Sequence, residues 1–338
     1  MHSMTDHADK KQKTDKMKIG THSGTFHADE SLAVYMLKLL PRFKDAEVVR
    51  SRDPEVLEEC DIIVDVTGQY DRTKHFDHHQ KGFEETFGLD YNTKLSSAGL
   101  VYKHFGREVL AQLLDLAEDS EAINVLYPKI YTEFVEAIDA NDNGISAYPN
   151  DVTASFKNSA ITLPAMVSRL NPLWTHPRAN DDDVLDERFQ KASQLMGQAF
   201  ENVVEGYGKG WYPAKDIVQK AFDARKQYDD EGRIVVFDQF VPWKEHLYTI
   251  EEDKNVPGQV LYVLYSDGKN WRVQAVAESS SSFTSRKALP EAWRGVRDEE
   301  LSKISGIPSC IFTHAAGFIG GNKTREGALQ MAKKALEL

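Results

Sequence analysis

Asp61-Ile62-Ile63-Val64-Asp65-Val66 is a short β-branched run with a carboxylate at each end of its apolar core. Its length and composition read as a strand buried on both faces, the kind found in parallel sheets covered by helices. The preceding residues repeat the pattern. Met17-Lys18-Ile19-Gly20-Thr21 reads as a strand, Leu32 to Leu40 as a buried helix stopped by Pro41, Ala46 to Arg50 as a strand, and Pro54 to Glu59 as a short helix. Strand alternating with helix at this spacing predicts an α/β fold with a mostly parallel sheet and helices on both faces.

Such sheets collect ligands in the crevice at the carboxyl ends of their strands. His22, Asp65 and the tripeptide Asp77-His78-His79 all fall at or just after predicted strand ends, so residues distant in the chain are expected to converge there. A lone histidine is more often a surface or satisfied core residue, and His2, His7, His104, His176 and His246 are read that way. Asp77-His78-His79 differs, because a charge beside two imidazoles directly after Phe76 concentrates desolvation cost unless a cation offsets it. Joined with His22, His27, Asp29 and Asp65, it reads as a metal site. Imidazole plus carboxylate suits Mn²⁺, Fe²⁺ or Zn²⁺ better than Ca²⁺. No serine or cysteine is oriented by a base, so the economical chemistry is hydrolysis by two ions about 3.5–4 Å apart sharing a water.

Composition narrows the field. The 338 residues, 41% hydrophobic, suffice for two domains. No apolar run approaches the roughly 20 residues of a membrane helix. Cys60 and Cys310 lack a CxxC partner, which disfavours a disulfide framework and fits a reducing, intracellular compartment. With 53 acids against 41 bases, the net charge of −12 argues against coating duplex nucleic acid, though not against a local basic groove. Residues 1–16 are polar, carry acids and lack an apolar h-region; they read as a disordered tail and not as a secretory signal.

The domain reading is a metal-binding domain over 17–160, a helical connector over 161–228 and a smaller α/β domain over 229–338. Ser96-Ser97 offers an N-cap for a helix from Ala98 to Leu110. A longer helix is expected from Glu121 to about Ala140, with Pro128 as a candidate break and with Asp139 and Asp142 at its end. Further helices are read over 164–170, 181–205 and 214–228, and strands over 233–237, 260–265 and 271–277, the last two joined as a hairpin by Ser266 to Asn270. Near the C-terminus, Phe312 to Arg325 reads as strand, glycine turn and helix start. There Gly320, Gly321 and Asn322 with Lys323 and Arg325 could cradle a phosphate, although an ordinary tight turn fits the spacing nearly as well. Arg286, Arg294 and Arg297, near Phe283 and Trp293, extend a surface suited to single-stranded nucleic acid.

These motifs resemble the DHH phosphoesterase superfamily, and most closely its MYG exonuclease family. The resemblance rests on Gly20 to Glu30, Tyr70 to Gln80, Leu95 to Gly99, Asp139 to Gly144, Pro242 to Tyr248 and Gly317 to Gly321. It implies a DHH-type N-terminal domain, a substrate-gripping C-terminal domain, and Mn²⁺-dependent hydrolysis of RNA from the 3′ end, with Mg²⁺ as an alternative ion. Carried over, the metal ligands would be His22, His27, Asp29, Asp65, His78 and Asp139, with Asp142 as the fallback for Asp139. Asp77 and His79 would be catalytic, His79 beside the scissile phosphate. His27 stands where the superfamily has an aspartate, and its gap from His22 is one residue longer, so a neutral ligand replaces an anion. The resemblance also names the cytoplasm, nucleus and mitochondrion as compartments. The reading is therefore a 3′→5′ RNA exonuclease acting on single-stranded RNA or oligonucleotides. Its rivals are a pyrophosphatase or small-nucleotide phosphoesterase, and a non-catalytic RNA-binding protein that keeps a metal site.

Overall fold

The computed structural model describes residues 16–148, 151–152 and 155–338. The tail read over 1–16 lies outside them except for Lys16. The chain divides into two compact units between Tyr207 and Gly208.

In the first unit, β1 (Lys18–Thr21), α1 (Ala28–Leu39), β2 (Glu47–Arg50), α2 (Pro54–Glu58) and β3 (Ile62–Val64) alternate as predicted, and a two-residue β4 (His75–Phe76) follows. The sheet order is β2-β1-β3-β4, and every pairing is parallel. Ile62, Ile63 and Val64 are all buried. Ile63 packs with Leu57 of α2 and Cys60, so the pleat turns Ile62 and Val64 to the opposite face. Gly20 permits that packing, because a Cβ there would come within 3.0 Å of the Cys60 sulfur.

The remaining helices of this unit are α3 (Ser97–Leu114), α4 (Glu121–Ile130), α5 (Glu136–Asp142), α6 (Leu163–Ser168) and α7 (Asp182–Glu205). Helix α1 is buried on nearly every side and packs against α3 and α7. Gly197 of α7 leaves room for the Tyr35 ring, and the Tyr35 hydroxyl donates to Glu201 at 2.8 Å. The candidate break at Pro128 does not occur, and the helical path read from Glu121 to about Ala140 continues. Helix α4 runs through the proline, and a π-helical turn at Tyr131–Val135 joins it to α5. Proline's missing N–H weakens the preceding turn, and a wider turn absorbs the phase change without ending the helical path.

The second unit comprises α8 (Tyr212–Asp223), β5 (Ile234–Val236), α9 (Lys244–Asp253), β6 (Tyr262–Ser266), β7 (Trp271–Ala275), α10 (Asp298–Ser305), β8 (Cys310–Thr313), β9 (Ile319–Asn322) and α11 (Arg325–Glu337). Its sheet order is β5-β6-β7-β9-β8, parallel only between β5 and β6. The β6–β7 hairpin forms as expected. The glycine segment does not form the expected turn: Ile319 to Asn322 is strand β9, and the reversal falls at residues 314–318. These glycines serve packing. A Cβ at Gly321 would sit 2.6 Å from Arg272 Nη1, and one at Gly320 would press on Leu289 and the Phe312 carbonyl.

Of the segment read as a connector, α7 packs on α1 in the first unit and α8 packs near β5 in the second.

Candidate metal centre

Three adjacent parallel strands end at one place. His22 follows β1, Asp65 follows β3, and Asp77-His78-His79 follows β4. Asp65 leaves its strand in the left-handed region at φ 57°, an unfavourable conformation for an aspartate that local contacts must hold. The Ser97 hydroxyl donates to Asp65 Oδ1 at 3.1 Å. Opposite the strand ends, α1 begins at His27 as N-cap, and Glu30 accepts the His27 backbone N–H at 2.7 Å.

Three sets of side chains each offer ligand atoms within 4.8 Å of one another: His22, His27, Glu30 and Asp65; Asp29, His78 and Asp142; and Asp65, Asp77, His78 and His79. Asp65 and His78 each belong to two sets, which gives a continuous polynuclear arrangement. His22 Nε2 lies 3.1 Å from Glu30 and 3.4 Å from Asp65, while Nδ1 meets the Ser23 carbonyl at 3.2 Å. A carbonyl can only accept, so Nδ1 carries a proton and Nε2 is the atom aimed at the cluster. His78 Nε2 is 2.9 Å from Asp142.

Charge is poorly balanced among these groups. Burial, then the neighbouring Asp65, Glu30 and Asp142, push the Asp29 carboxyl well above the usual range. Burial also opposes charge on Asp65, but hydrogen bonds from His22 and His79 outweigh it and hold Asp65 low. For His22, burial disfavours the cation, yet Asp65 and Glu30 raise it to about 10. His79, mostly exposed, is raised to about 9 by its bond to Asp65, against burial, with Asp77 adding to the effect.

Asp77 is held by the Gly68 N–H at 2.6 Å and the His79 N–H at 3.0 Å, and it receives His79 Nδ1 at 2.8 Å. It therefore positions His79, which lines the neighbouring cleft. That cleft, of about 620 Å³, is lined by His22, His27, Asp65, Asp77, His79, Asp142 and Arg52 among others.

Both Asp29 carboxylate oxygens, Glu30 Oε2 and His78 Nδ1 are buried without a hydrogen-bond partner among the described residues. Buried polar atoms of this kind are costly, and several around one point are what divalent ions satisfy. The residues present thus fit a metal of the oxygen- and imidazole-preferring class.

Asp139 stands apart from these sets. Its Oδ1 accepts the Ser96 N–H, the Ser96 hydroxyl and the Gly99 N–H, and its Oδ2 accepts the Tyr131 hydroxyl at 2.9 Å. Burial raises it to about 7 against these bonds. A carboxylate so fully engaged ties α5 to the start of α3, and the fallback Asp142 is the residue that faces His78.

Glu30 is absent from the predicted ligand set although it closes the same Gly20 to Glu30 motif, and in the structure it also accepts the His27 N–H as a capping box. Ser96 stands at the N-cap of α3 as expected, but its hydroxyl serves Asp139 and that of Ser97 serves Asp65. Arg52 left no signal beyond its charge; it has no ion-pair partner among the described residues.

The residues read as a phosphate cradle lie in the second unit. Asn322 is buried and bonds the Pro308 carbonyl at 2.8 Å. Arg325 stacks over Tyr228 and Trp271. Arg286 pairs with buried Glu251 at 2.8 Å and is not a free cation. Lys323 is exposed.

A parallel α/β sheet delivering imidazoles and carboxylates from three strand ends to shared centres defines an α/β protein equipped to hold divalent metal. The model of the MYG1 exonuclease family, described as an uncharacterised protein family (UPF0160), matches residues 18–336, and the chain belongs to that family. A MYG1 protein of Schizosaccharomyces pombe is 56% identical over 322 residues, covering 95% of this chain and 98% of the relative. The human protein named MYG1 exonuclease is 48% identical over 327 residues, covering 94% and 85%. A crystal structure of Thermus thermophilus RecJ with Mn²⁺ aligns at 14% identity and a TM-score of 0.26, covering 96% of this chain and 52% of that one, an overlap too slight to argue from. Among the described residues, no helix is long and apolar enough to cross a membrane.

Proposed function

We propose that this chain is a divalent-metal-dependent nuclease, and specifically a 3′→5′ exonuclease acting on single-stranded RNA. One observation carries the hydrolytic reading: three overlapping His–carboxylate sets share Asp65 and His78 and contain buried ligand atoms with no other partner among the described residues. Relatives named as exonucleases support a nucleic-acid substrate. The RNA preference and the polarity rest on the family resemblance.

His22, His27, Glu30 and Asp65 would hold one ion, and Asp29, His78 and Asp142 a second, with Asp65 and His78 linking the two; Mn²⁺ is the proposed metal. When bound, the ions would supply Lewis acidity toward water and phosphate. The chain's own residues do the rest. Asp77 fixes the His79 ring through Nδ1, which leaves Nε2 to bond a phosphoryl oxygen or protonate the departing oxygen. Arg52 adds positive charge to the same cleft. Ser97 keeps Asp65 in its left-handed conformation, and the Ser23 carbonyl keeps His22 in the right tautomer. In the second unit, Lys323 and Arg325 are the residues proposed to bind substrate phosphate, with β9 and its glycines as scaffold.

The test is a Mn²⁺ titration with RNA and DNA oligonucleotides labelled at either end, using Asp65→Ala as control. The expected result is stepwise shortening of 5′-labelled RNA by the native chain only. Binding without cleavage at every Mn²⁺ concentration would overturn the enzymatic reading in favour of an RNA-binding role. Cleavage of pyrophosphate in preference to oligonucleotides would overturn the exonuclease.

A further inference from the structure

A second cleft, of about 850 Å³, adjoins the metal-lined one within the first unit and shares Asn141, Pro164 and Ser168 with it. Asn141 is next in sequence to Asp142, so the junction lies one residue from the metal sets. The two clefts differ in chemistry. The metal-lined cleft contains charged and ligating groups, including Arg52. Among the described residues, the second has no lysine or arginine in its lining, one carboxylate at Glu136, and otherwise hydroxyls, amides and apolar surface.

Glu136 accepts the Thr93 hydroxyl at 2.8 Å and would repel a phosphate placed nearby. The amides of Asn141 and Asn158 have no hydrogen-bond partner among the described residues. Tyr148, 64% exposed at the cleft, presents a ring with no packing requirement of its own. Free amides beside an unpacked aromatic ring, without a cation, match a nucleobase and sugar: the ring offers a stacking face and the amides read base edges.

We propose that this second cleft is a nucleoside subsite, receiving the base and ribose attached to the phosphate held at the metal cluster. The proposal rests on the nuclease reading for its place in the reaction, but not for its binding chemistry. A neutral nucleoside seated here leaves its phosphate at the junction by Asn141, on the side of the metal sets and Arg52. The two halves of a nucleotide are thereby sorted by charge. Any base has a face to stack, so the subsite favours nucleotides over other phosphate esters more than it favours one base over another.

Isothermal titration calorimetry on the full chain tests this with uridine 5′-monophosphate and ribose 5-phosphate, in which an anomeric hydroxyl replaces the base. The native protein is expected to bind the nucleotide about tenfold more tightly, the scale of one stacked base. Tyr148→Ala and Asn158→Ala are each expected to remove most of that preference, with circular dichroism confirming the fold. Equal affinity for the two ligands in the native chain, or a preference unchanged in both variants, overturns the subsite. Hydrolysis of bis(p-nitrophenyl) phosphate with Mn²⁺ reads the hydrolytic function separately. A base preference without ester hydrolysis would leave the subsite standing and remove the nuclease; hydrolysis without a base preference would do the reverse.

Discussion

Asp29 carries the sharpest conflict in the molecule, since both its oxygens are buried without hydrogen-bond partners among the described residues and three other carboxylates face it. Removing one partner from a set of buried like charges relieves repulsion, so Asp29→Asn is expected to raise the melting temperature of the metal-free protein, by about 2–4 °C for each 1 kcal/mol gained. The same variant should lose most of the stabilisation that Mn²⁺ confers on the native chain. Scanning fluorimetry with and without Mn²⁺ reads both, and an unchanged Mn²⁺ response would remove Asp29 from the ligand set. A pH prediction follows from His22. Its value near 10 without metal means that the ring is protonated at neutral pH, and an ion must displace that proton to bind Nε2. Mn²⁺ affinity is therefore expected to rise with pH between 6 and 8, by about tenfold per unit for each proton displaced. Calorimetry in buffers of different ionisation enthalpy would count the protons, and a pH-independent affinity would contradict the assignment. At this scale much was legible: imidazoles and acids crowded around strand ends announce themselves through their desolvation cost. The roles of the Ser96 and Ser97 hydroxyls stay hidden because a serine pair before a helix already has a cap's explanation.

Asp139 and Asp142 stand three positions apart on α5, so both project toward the same side of the helix and spacing cannot choose between them. Packing does choose. Gly99 lets the Asp139 carboxylate lie against the first turn of α3, in space that a Cβ would occupy. Asp139→Asn should therefore destabilise the fold by about 1–3 kcal/mol, through acceptors lost inside the protein. Asp142→Asn should change the melting temperature little and weaken Mn²⁺ binding by roughly 10–100-fold or more. If Asp139→Asn instead abolished metal binding in a protein of native stability, the roles would have to be exchanged. The parallel sheet was readable because alternation of strand and helix leaves few topologies. Strand β9 was not, because Gly320 and Gly321 look like turn residues until Arg272, Leu289 and Phe312 are seen pressing on them. Helix α10 escaped for a different reason: Asp298 to Ser305 offers the core only Leu301 and Ser305 as buried residues, too sparse a stripe to show as a period.

A net charge of −12 makes the molecule as a whole repel a polyanion, so single-stranded substrate must be held by a few local cations. Among those cations Arg286 is already committed to Glu251, while Arg52 and Lys323 are exposed with no ion-pair partner among the described residues. Arg52 lines the cleft of the candidate metal centre in the first unit, and Lys323 precedes α11 in the second. If both touch phosphates, each contributes one counterion-release term to binding. Arg52→Ala and Lys323→Ala should then each lower RNA affinity and reduce the slope of log K against log salt by about 0.7, the increment for one phosphate on a single strand. The double variant should lose about twice that slope. Mn²⁺ affinity should stay near the native value for Lys323→Ala, since that residue belongs to none of the ligand sets. Fluorescence anisotropy with a labelled RNA across a salt series measures the slopes. A native slope in Lys323→Ala would remove the second unit's proposed phosphate contact, and a native slope in Arg52→Ala would leave the metal cluster and His79 as the groups in the first unit that meet the backbone.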